Sequence, residues 1–382
     1  MRLELSREQQ ELLEEFRQFA DRDVSPLASK HDREGRIGPE IIDLLARRGY
    51  LAPTLPMQYG ARELDLASYV LLHEQVGRAC ASLRSLLTVH DMVAHIVFRF
   101  GSEGQRRRWL PALATGNALG GFALTERSAG SEIAATATVA TRSDHGWRLS
   151  GEKTWTSFGR LATVFVVFAR ADQGISAFLV ERETDGLAIR PSDEVIGLRG
   201  SMLAELTFNE CLVPDENLIG SIGRGHPQMT AAALTLGRLG VAAGCVGILQ
   251  ACADASFRYS RSRLRGGIRL DSHQLIAAKL AGIYIAVDAA RLLCLQAAVL
   301  LQENDPRALV EVAIAKQFAA AAAMHAAEDA VQIHGANGCS GRYAVERHYR
   351  DAKIMEIIEG TSELQQLIIG EHGYAEIPSF VR

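Results

Sequence analysis

The sequence lacks both of the glycine-rich fingerprints by which nucleotide-binding proteins are most often recognised. No candidate strand is followed by the pattern G-x-G-x-x-G, and the pattern G-x-x-x-x-G-K-[S/T] does not occur. Both patterns work by arranging backbone N–H groups around phosphates. A nucleotide bound by this chain would therefore have to lie on a different kind of scaffold.

Cysteine is scarce and does not have the spacing that metal sites require. The six cysteines are Cys80, Cys211, Cys245, Cys252, Cys294 and Cys339. None forms a C-x-x-C pair, and no cluster of His and Cys has metal-ligand spacing, so a metal site is not expected. Because most of these cysteines have apolar neighbours, we predict buried free thiols, as in proteins of the reducing cytoplasm.

An excess of charge of one sign is also missing. Lys and Arg number 41 and Asp and Glu 45, which gives a net charge of −4 and no electrostatic basis for a nucleic-acid partner. No run of about 18 apolar residues is free of charge, so no membrane span is expected. The N-terminus carries Arg2 and Glu4 and does not resemble a signal peptide. The sequence therefore predicts a cytoplasmic protein.

The first part of the chain, residues 1–118, is predicted to be helical. Ser6 and Gln9 have the spacing of a capping box. The apolar residues that follow recur at helical spacing: Leu12, Leu13, Phe16 and Phe19. Pro26 is predicted to end this first helix, and Pro39 is placed to begin the next.

The hydrophobic period changes in the middle of the chain. Short β-type runs occur at 164–168, 175–180 and 203–208, and Gly, Asp and Pro separate them. Residues 119–225 are therefore predicted to form a β domain, a small barrel or sandwich.

The helical period returns in residues 226–382. Four long helical segments are predicted there, at 229–263, 272–303, 306–336 and 361–371. A helical bundle is the natural way to bury their apolar faces. With 382 residues and 48% hydrophobic content the chain can build several cores. We predict an α+β multidomain protein: helical domain, β domain, helical bundle.

One acidic residue has the neighbours of a general base. Glu359 follows two isoleucines and precedes Gly360, and apolar neighbours remove water from a carboxylate and raise its pKa. Gly360 allows close approach of the backbone to a ligand. Thr361 and Ser362 are suited to capping the helix that follows, whose N-terminus would attract anions. The alternative is an ordinary helix start with an exposed acid.

Two stretches of the β domain could contact a planar or phosphorylated ligand. The stretch 122–132 combines apolar residues with Thr, Gly and Ser, whose hydroxyls and N–H groups suit a polar ring or a phosphate. In the stretch 151–157, Trp155 could pack on an aromatic cofactor and Ser157 could reach a ring nitrogen. A plain β-turn and a core tryptophan remain open as alternatives.

Two stretches of the helical bundle could also bind a ligand. Five arginines cluster around Gly266 and Gly267, and arginines clamp pyrophosphates well. Gln332 and Gly335 end another helix, where glycine-rich backbone can approach a ligand. The alternatives are a solvated loop and an ordinary helix end.

In this order, the motifs resemble those of the acyl-CoA dehydrogenase family over nearly the whole chain. The motifs are Leu124-Thr125-Glu126 with Ala129-Gly130-Ser131, Lys153-x-Trp155-x-Ser157, Gly197-x-Arg199-Gly200-Ser201, Gly237-Arg238, Arg263 with Gly267 and Gln274, Gln332-x-x-Gly335, and Tyr349-Arg350-Asp351-Ala352-Lys353 through Glu359-Gly360-Thr361. The resemblance implies a helical domain, a β domain and a four-helix bundle that hold FAD in a homodimer or homotetramer.

The resemblance also implies roles for individual residues. Those expected to line or flank the flavin or its phosphates are Phe122, Leu124, Thr125, Ser131, Trp155 and Ser157. Those expected to reach the FAD of a neighbouring subunit are Arg263, Gln274, Gln332 and Gly335, and those expected to close over the cofactor are Thr361 and Glu363. The residues expected at the substrate are Ser131, Thr235, Arg238 and Gly360, with Glu359 as catalytic base.

Departures from the family pattern concern the thioester carrier. Arg127 stands where the family usually has Pro, and Thr235 where it usually has Asp. Both positions lie where the carrier would run. A narrower resemblance, carried by 80–86, 125–131, 244–249 and 353–360, is to enzymes that oxidise three-carbon units on an acyl carrier protein. Those units become hydroxymalonyl, methoxymalonyl or aminomalonyl extenders in polyketide pathways.

Three other functions are weighed against this one. The first is a short- or branched-chain acyl-CoA dehydrogenase that passes electrons to an electron transfer flavoprotein. The second is a flavin monooxygenase on the same scaffold, against which Glu359 argues because that class generally works without the base. The third is a non-enzymatic flavin-binding protein.

Overall fold

The computed structural model describes residues 4–192 and 194–376. The chain begins with helices that surround the buried pair α4 and α5. Their bounds are α1 Arg7–Phe19, α2 Ser25–Glu34, α3 Pro39–Arg47, α4 Leu66–Ala79, α5 Ala81–Phe100 and α6 Glu103–Ala114. The predicted capping box is present, because Ser6 Oγ accepts the N–H of Gln9 at 3.1 Å and Oε1 of Gln9 accepts the N–H of Ser6 at 3.0 Å.

The prediction that Pro26 ends the first helix was wrong. A π-helical turn, Ala20–Val24, joins α1 to α2, and Pro26 lies in the first turn of α2. Proline is tolerated there because the first N–H groups of a helix have no partner within it.

The middle of the chain forms one twisted sheet. Its strands are β1 Gly120–Ala123, β2 Val139–Ser143, β3 Gly146–Thr156, β4 Val164–Ala171, β5 Gly174–Glu181, β6 Leu187–Pro191, β7 Ala204–Val213 and β8 Leu218–Ile219. The order is β6-β7-β3-β2-β4-β5-β8, and β1 pairs in parallel with β4. β4 is buried along most of its length, which explains its nearly continuous apolar sequence.

The last part of the chain is a helical bundle around α7. Its helices are α7 Thr230–Ser262, α8 Gln274–Gln302, α9 Ala308–His334, α10 Val345–Met355 and α11 Ser362–Glu376, with a small hairpin of β9 Leu264–Arg265 and β10 Ile268–Arg269 after α7. The four long segments predicted from the sequence are present, and α10 was not predicted as a helix of its own. The divisions predicted after residues 118 and 225 fall between α6 and β1 and between β8 and α7.

Helix α7 lies unusually close to α4. A Cβ on Gly247 would lie 2.3 Å from the carbonyl oxygen of Glu74, and a Cβ on Gly77 would lie 2.8 Å from Cα of Gly244. Such distances exclude any side chain at these positions. Small residues therefore allow α4 of the first helical region to pack directly against α7 of the bundle.

Helix α10 ties the three parts of the chain together. Arg350 forms a bidentate ion pair with Asp32 of α2, at 2.7 and 3.0 Å, and donates to the carbonyl of Ile196 at 3.1 Å. The buried carboxylate of Asp351 accepts the N–H of Leu198 at 2.7 Å. The segment that precedes Glu359 is thus fixed to both other parts of the chain.

Three helical stretches are long and apolar enough to cross a membrane by length and composition alone. They are Gly225–Ser262, Gln274–Gln302 and Ala308–Cys339, and 83%, 44% and 50% of their apolar windows are buried inside the protein. The absence of a membrane span stays a prediction. All six cysteines are free, and Cys339 is exposed, whereas the other five are buried as predicted.

Candidate active site

A cavity of about 620 Å³ lies where α5, the sheet, α7 and the loop after α10 meet. Residues far apart in the sequence line it, among them Arg84, Thr88, Phe122, Trp155, Ser201, Arg238 and Glu359. Most of its wall is apolar, with a small number of polar side chains among the lining residues. This composition is typical of a small-molecule site.

Glu359 lies in the loop between α10 and α11 with a left-handed backbone, φ +55°. Left-handed conformations are strained for residues other than glycine and persist where the surroundings impose them. Gly360 follows with φ +93°, and a Cβ there would lie 2.8 Å from Nε2 of Gln365. Only glycine fits this position, in agreement with the sequence analysis.

A buried lysine and a half-buried arginine hold the backbone of this loop. Nζ of Lys316, on α9, donates to the carbonyl of Gly360 at 2.7 Å and to that of Glu356 at 3.4 Å. Nε of Arg238, on α7, donates to the carbonyl of Glu359 at 3.0 Å. Because these bonds are made to the main chain, they position the loop without occupying the carboxylate.

The carboxylate of Glu359 lies against α7. A Cβ on Gly237 would be 3.0 Å from Oε2 of Glu359, so a side chain at 237 would displace the acid. Burial raises the pKa of Glu359, and the positive charges of Arg238, Arg84 and Lys316 partly offset that rise. The result is a carboxyl group with the raised pKa of a general base.

The same burial acts on the cations. Desolvation lowers the pKa of Lys316 to about 8. It also lowers the pKa of Arg238, although Glu359 opposes the effect. Even so, both groups remain mostly charged at neutral pH.

The opposite wall of the cavity suits a flat aromatic group. Trp155 is 55% exposed and has φ +55°, so a large apolar ring is held open toward the cavity. Thr125, Ser157 and Thr361 line the same cavity, and the buried hydroxyl of Ser201 has no partner. These features fit a planar ring system with polar edges, such as an isoalloxazine.

A buried ion pair supports this wall. Nζ of Lys153 donates to Glu126 at 2.7 Å and to the carbonyl of Leu124 at 3.0 Å. Glu126 also accepts the N–H groups of Ala137 and Thr138. The sequence analysis quoted Glu126 and Lys153 within motifs but gave them no role; only the fold brings them together.

Most of the predicted site residues lie on this cavity. They are Phe122, Leu124, Thr125, Ser131, Trp155, Ser157, Arg238, Glu359, Gly360 and Thr361. Thr235 does not line it, because its side chain is buried and its hydroxyl donates to the carbonyl of Ala231 within α7. Glu363 is exposed in the first turn of α11 and does not line it either.

The residues predicted to reach a neighbouring subunit lie elsewhere. Arg263 lines a second, more open concavity together with Tyr259, His334 and Asn337. Gly335 directly follows His334, Gln332 precedes it on α9, and Gln274 begins α8. Tyr259 stacks on His334 at 4.2 Å and accepts a bond from Asn337, and neither contact could be read from the sequence.

The sequence analysis missed the contribution of α5. Arg84, Ser85 and Thr88 all line the cavity, although the segment was quoted only as part of a resemblance. Their spacing of three and four residues on a buried helix was the available signal. In the described part of the chain, no group of three or more His, Cys, Asp or Glu could hold a metal ion.

The chain matches the profiles of three domains along nearly its whole length. Residues 6–117 match the acyl-CoA dehydrogenase N-terminal domain, residues 121–211 the middle domain and residues 223–374 the C-terminal domain. Members of this family bind FAD.

Relatives and solved structures agree with these matches. The human mitochondrial short-chain specific acyl-CoA dehydrogenase is 35% identical over 97% of this chain and 91% of that protein. Butyryl-CoA dehydrogenase from Megasphaera elsdenii has a TM-score of 0.94 at 34% identity and covers 98% of this chain and 100% of its own.

Two further similar structures belong to proteins whose descriptions name an extender unit or an acyl carrier protein. FkbI, described for the biosynthesis of the methoxymalonyl extender unit of a polyketide, has a TM-score of 0.87 at 30% identity and covers 96% of this chain and 99% of its own. The prolyl acyl carrier protein oxidase AnaB has a TM-score of 0.92 at 26% identity, with 97% and 99% covered. The chain belongs to the acyl-CoA dehydrogenase family and is an oxidoreductase that acts on acyl thioesters with FAD as cofactor.

Proposed function

We propose that this enzyme oxidises a short acyl group tethered to an acyl carrier protein, at its third carbon, in the supply of extender units for polyketides. The observation that carries the chemistry is the placement of Glu359, a carboxyl group of raised pKa on a largely apolar cavity. The similarity to FkbI and AnaB supports the carrier, since their descriptions name an extender unit and an acyl carrier protein.

We assign the following roles to residues of the chain. Glu359 accepts a proton from the substrate, and Arg238 and Lys316 keep its backbone in the left-handed conformation that aims it at the cavity. No acceptor among the described residues is bonded to the N–H groups of Glu359 and Gly360, so they can donate to the thioester carbonyl. FAD, when bound, supplies the hydride acceptor. The apolar wall excludes water from the reacting carbons.

The residues that fit FAD are those of the aromatic wall. Trp155 offers a ring face, Thr125 and Ser157 offer hydroxyls to ring edges, and Ser131 lies on the cavity, where a phosphate or a pantetheine arm could reach it. We propose that Thr361 and Glu363 lie over the cofactor, although Glu363 does not line the cavity. A role for Thr235 at the substrate has no support in its position.

The second candidate is a short-chain acyl-CoA dehydrogenase that uses an electron transfer flavoprotein. The similarity to the human short-chain enzyme and to butyryl-CoA dehydrogenase favours it as much as FkbI favours the first. The two candidates differ in the carrier and in the bond oxidised, C2–C3 or a C3 oxygen. A flavin monooxygenase is less well supported, because Glu359 lies on the cavity.

We also propose a homodimer or homotetramer in which α8 contacts a second copy. The apolar window of α8 is only 44% buried, against 83% for α7. Leu275 and Ile285 are 81% and 67% exposed on α8. Apolar surface of this kind marks an interface. A second copy would also bring Arg263, Gln274, Gln332 and Gly335 to the FAD of its neighbour. Within one chain these four residues do not line the active-site cavity.

We expect Glu359→Gln to retain FAD and to lower the rate of flavin reduction by a thioester substrate about 10²- to 10⁴-fold, since general-base catalysis contributes that much. The rate is measured by stopped-flow absorbance. Glu356→Gln is the control, because that carboxylate pairs with Lys353 and does not line the cavity. Equal rates in wild type and Glu359→Gln would contradict the assignment of the base.

We expect the enzyme to prefer an acyl group on an acyl carrier protein over the same group on CoA. A three-carbon acyl unit on an acyl carrier protein should bleach the flavin with a kcat/KM at least about tenfold above that of the same unit on CoA, since complementary charge accelerates protein association. Turnover with the CoA ester alone would establish the second candidate instead.

The rate should depend on pH through Glu359, which must be deprotonated to act. Because its pKa is raised, the rate rises as pH increases through that pKa. Arg238 lowers the pKa, so Arg238→Gln should move the rise to higher pH, as read from flavin reduction rates at pH 5 to 9. Arg347→Gln is the control, because Arg347 does not act on Glu359. A rise that stays in place in Arg238→Gln would disprove the electrostatic role.

The oligomer should depend on the exposed face of α8. We expect Ile285→Glu to shift the sedimentation coefficient toward the monomer and to weaken FAD retention, because burying an unpaired charge at an interface is costly. Met57→Glu is the control. Met57 is 68% exposed, lies outside α8 and is far from that helix in the sequence. A wild-type protein that sediments as a monomer at micromolar concentration would refute the proposal.

A further inference from the structure

Glu126 and Lys153 form a buried ion pair that has no part in the mechanism. Their relative exposures are 6% and 1%, and Nζ of Lys153 lies 2.7 Å from Oε1 of Glu126. Neither residue lines the active-site cavity in the described part of the chain, although their immediate neighbours Thr125 and Thr154 both do. The pair thus lies behind the cavity wall, where it can act on a ligand only through other residues.

Glu126 closes the segment that joins β1 to β2. This segment, residues 124–138, contains Ser131, which lines the cavity. The carboxylate of Glu126, near the start of the segment, accepts the N–H of Ala137 at 2.6 Å and that of Thr138 at 3.0 Å, at its end. One side chain therefore holds the two ends of the segment together, and Ser131 lies on the loop that it closes.

Lys153 fixes the same segment to β3. Its Nζ donates to the carbonyl of Leu124 at 3.0 Å as well as to Glu126. The N–H of Thr154 donates to the carbonyl of Thr125 at 2.9 Å, so two successive carbonyls of the segment are bonded to β3. Burial lowers the pKa of Lys153 to about 8, although Glu126 opposes the effect, and the amine therefore stays mostly protonated at neutral pH.

Lys153 also precedes the irregular part of β3 that carries Trp155. In a regular strand, residues 153 and 155 would project from the same face of the sheet. The pairing of β3 with β7 shifts between Lys153 and Thr156, and Trp155 has φ +55°. Lys153 is consequently buried, whereas Trp155 is 55% exposed and lines the cavity. The buried pair holds β3 directly before this change of direction.

Stability alone does not explain why this pair is charged. The cost of removing two charges from water offsets most of their attraction, and apolar residues of similar volume are often as stabilising. An apolar pair, however, would not bond to the N–H groups of Ala137 and Thr138 or to the carbonyl of Leu124. What Glu126 and Lys153 add is a set of directed bonds that fixes the segment 124–138 in one position on β3.

We propose that Glu126 and Lys153 are positioning residues for FAD. They fix two parts of the cavity wall relative to each other: the segment 124–138, which presents Ser131, and the end of β3, which presents Trp155. The inference rests on the proposed function, because the contacts of these two parts with FAD belong to that proposal. When the pair is broken, the two parts shift, so FAD binds more weakly and the edges of its ring lose hydrogen bonds.

The test measures how firmly the holoenzyme holds FAD and needs no assumption about the thioester. FAD release is followed by the rise in flavin fluorescence after dilution. The visible absorption spectrum of the bound flavin and the unfolding midpoint by circular dichroism are also recorded. The variants are Lys153→Met, Lys153→Arg, Glu126→Gln and the double variant Glu126→Gln/Lys153→Met. The control is Arg347→Met, because Arg347 is a buried cation that also bonds to a main-chain carbonyl, that of Ala79, and does not line the cavity.

We expect Lys153→Met to release FAD at least about tenfold faster than wild type, since one lost hydrogen bond to a charged group is worth that factor. Its visible flavin band should change, because hydrogen bonds to the ring tune the electronics of the flavin. Lys153→Arg should restore part of the hold on FAD, since the charge is kept. Glu126→Gln should accelerate release by about threefold, since its amide oxygen still accepts a main-chain N–H.

The two remaining proteins test whether the effect belongs to the pair. The double variant should release FAD within about twofold of the rate of Lys153→Met, because removing one partner already breaks the connection that both maintain. Arg347→Met should lower the unfolding midpoint and keep the wild-type release rate within about twofold, because distant sites act independently.

An effect on stability alone would overturn the inference. If Lys153→Met and Glu126→Gln lower the unfolding midpoint but release FAD at the wild-type rate, the pair only stabilises the sheet. The same conclusion follows if Arg347→Met, at an equal loss of midpoint, releases FAD as fast as they do. Where Lys153→Met gives no folded protein, Lys153→Arg and Glu126→Gln decide in the same way. If no thioester on either carrier reduces the flavin of wild type, the proposed function fails, whereas the release rates still test the pair.

Discussion

The active site depends on hydrogen bonds from two cationic side chains, Lys316 and Arg238, to three backbone carbonyls. At Glu359 and Gly360 the chain turns left-handed, with φ +55° and +93°, so the helical hydrogen bonds end and the carbonyls need other partners. Lys316 and Arg238 supply them from α9 and α7. Both helices belong to the bundle core, so the position of the base is set by the packing of the bundle rather than by its own loop.

The second requirement is that this loop be held in a fixed position relative to the aromatic wall around Trp155. That wall belongs to another part of the chain, the sheet. Helix α10 meets it through Arg350, which bonds to Asp32 and to the carbonyl of Ile196, and through Asp351, which accepts the N–H of Leu198. Burial raises the pKa of Asp351 to about 6, and the bond to Leu198 opposes that rise. Burying a carboxylate is unfavourable, so this hydrogen bond indicates that the segment 196–198 has to be held firmly beside the cavity.

How much could be predicted from the sequence follows from the range of the interactions. The fold class and the four long bundle segments were predicted correctly, because helical and strand periods are local. Glu359 and Gly360 were identified through their immediate neighbours. Pro26 was misjudged and α10 was missed, because continuing or ending a helix there depends on tertiary packing. Lys316 had no local signal: it lies in an ordinary apolar helix, and only the fold brings it to the loop that carries Glu359.

The arrangement of charge also explains how a buried acid can act as a base. Burial alone would favour the protonated form, and a direct ion pair would occupy the carboxylate oxygens and lower the pKa. In the described part of the chain the cations avoid that pair: Arg238 and Lys316 bond to main-chain carbonyls, and Arg84 bonds to Thr88. Their charges act on Glu359 through space while its oxygens stay open to the cavity. Proton acceptance and charge compensation are thus assigned to different atoms.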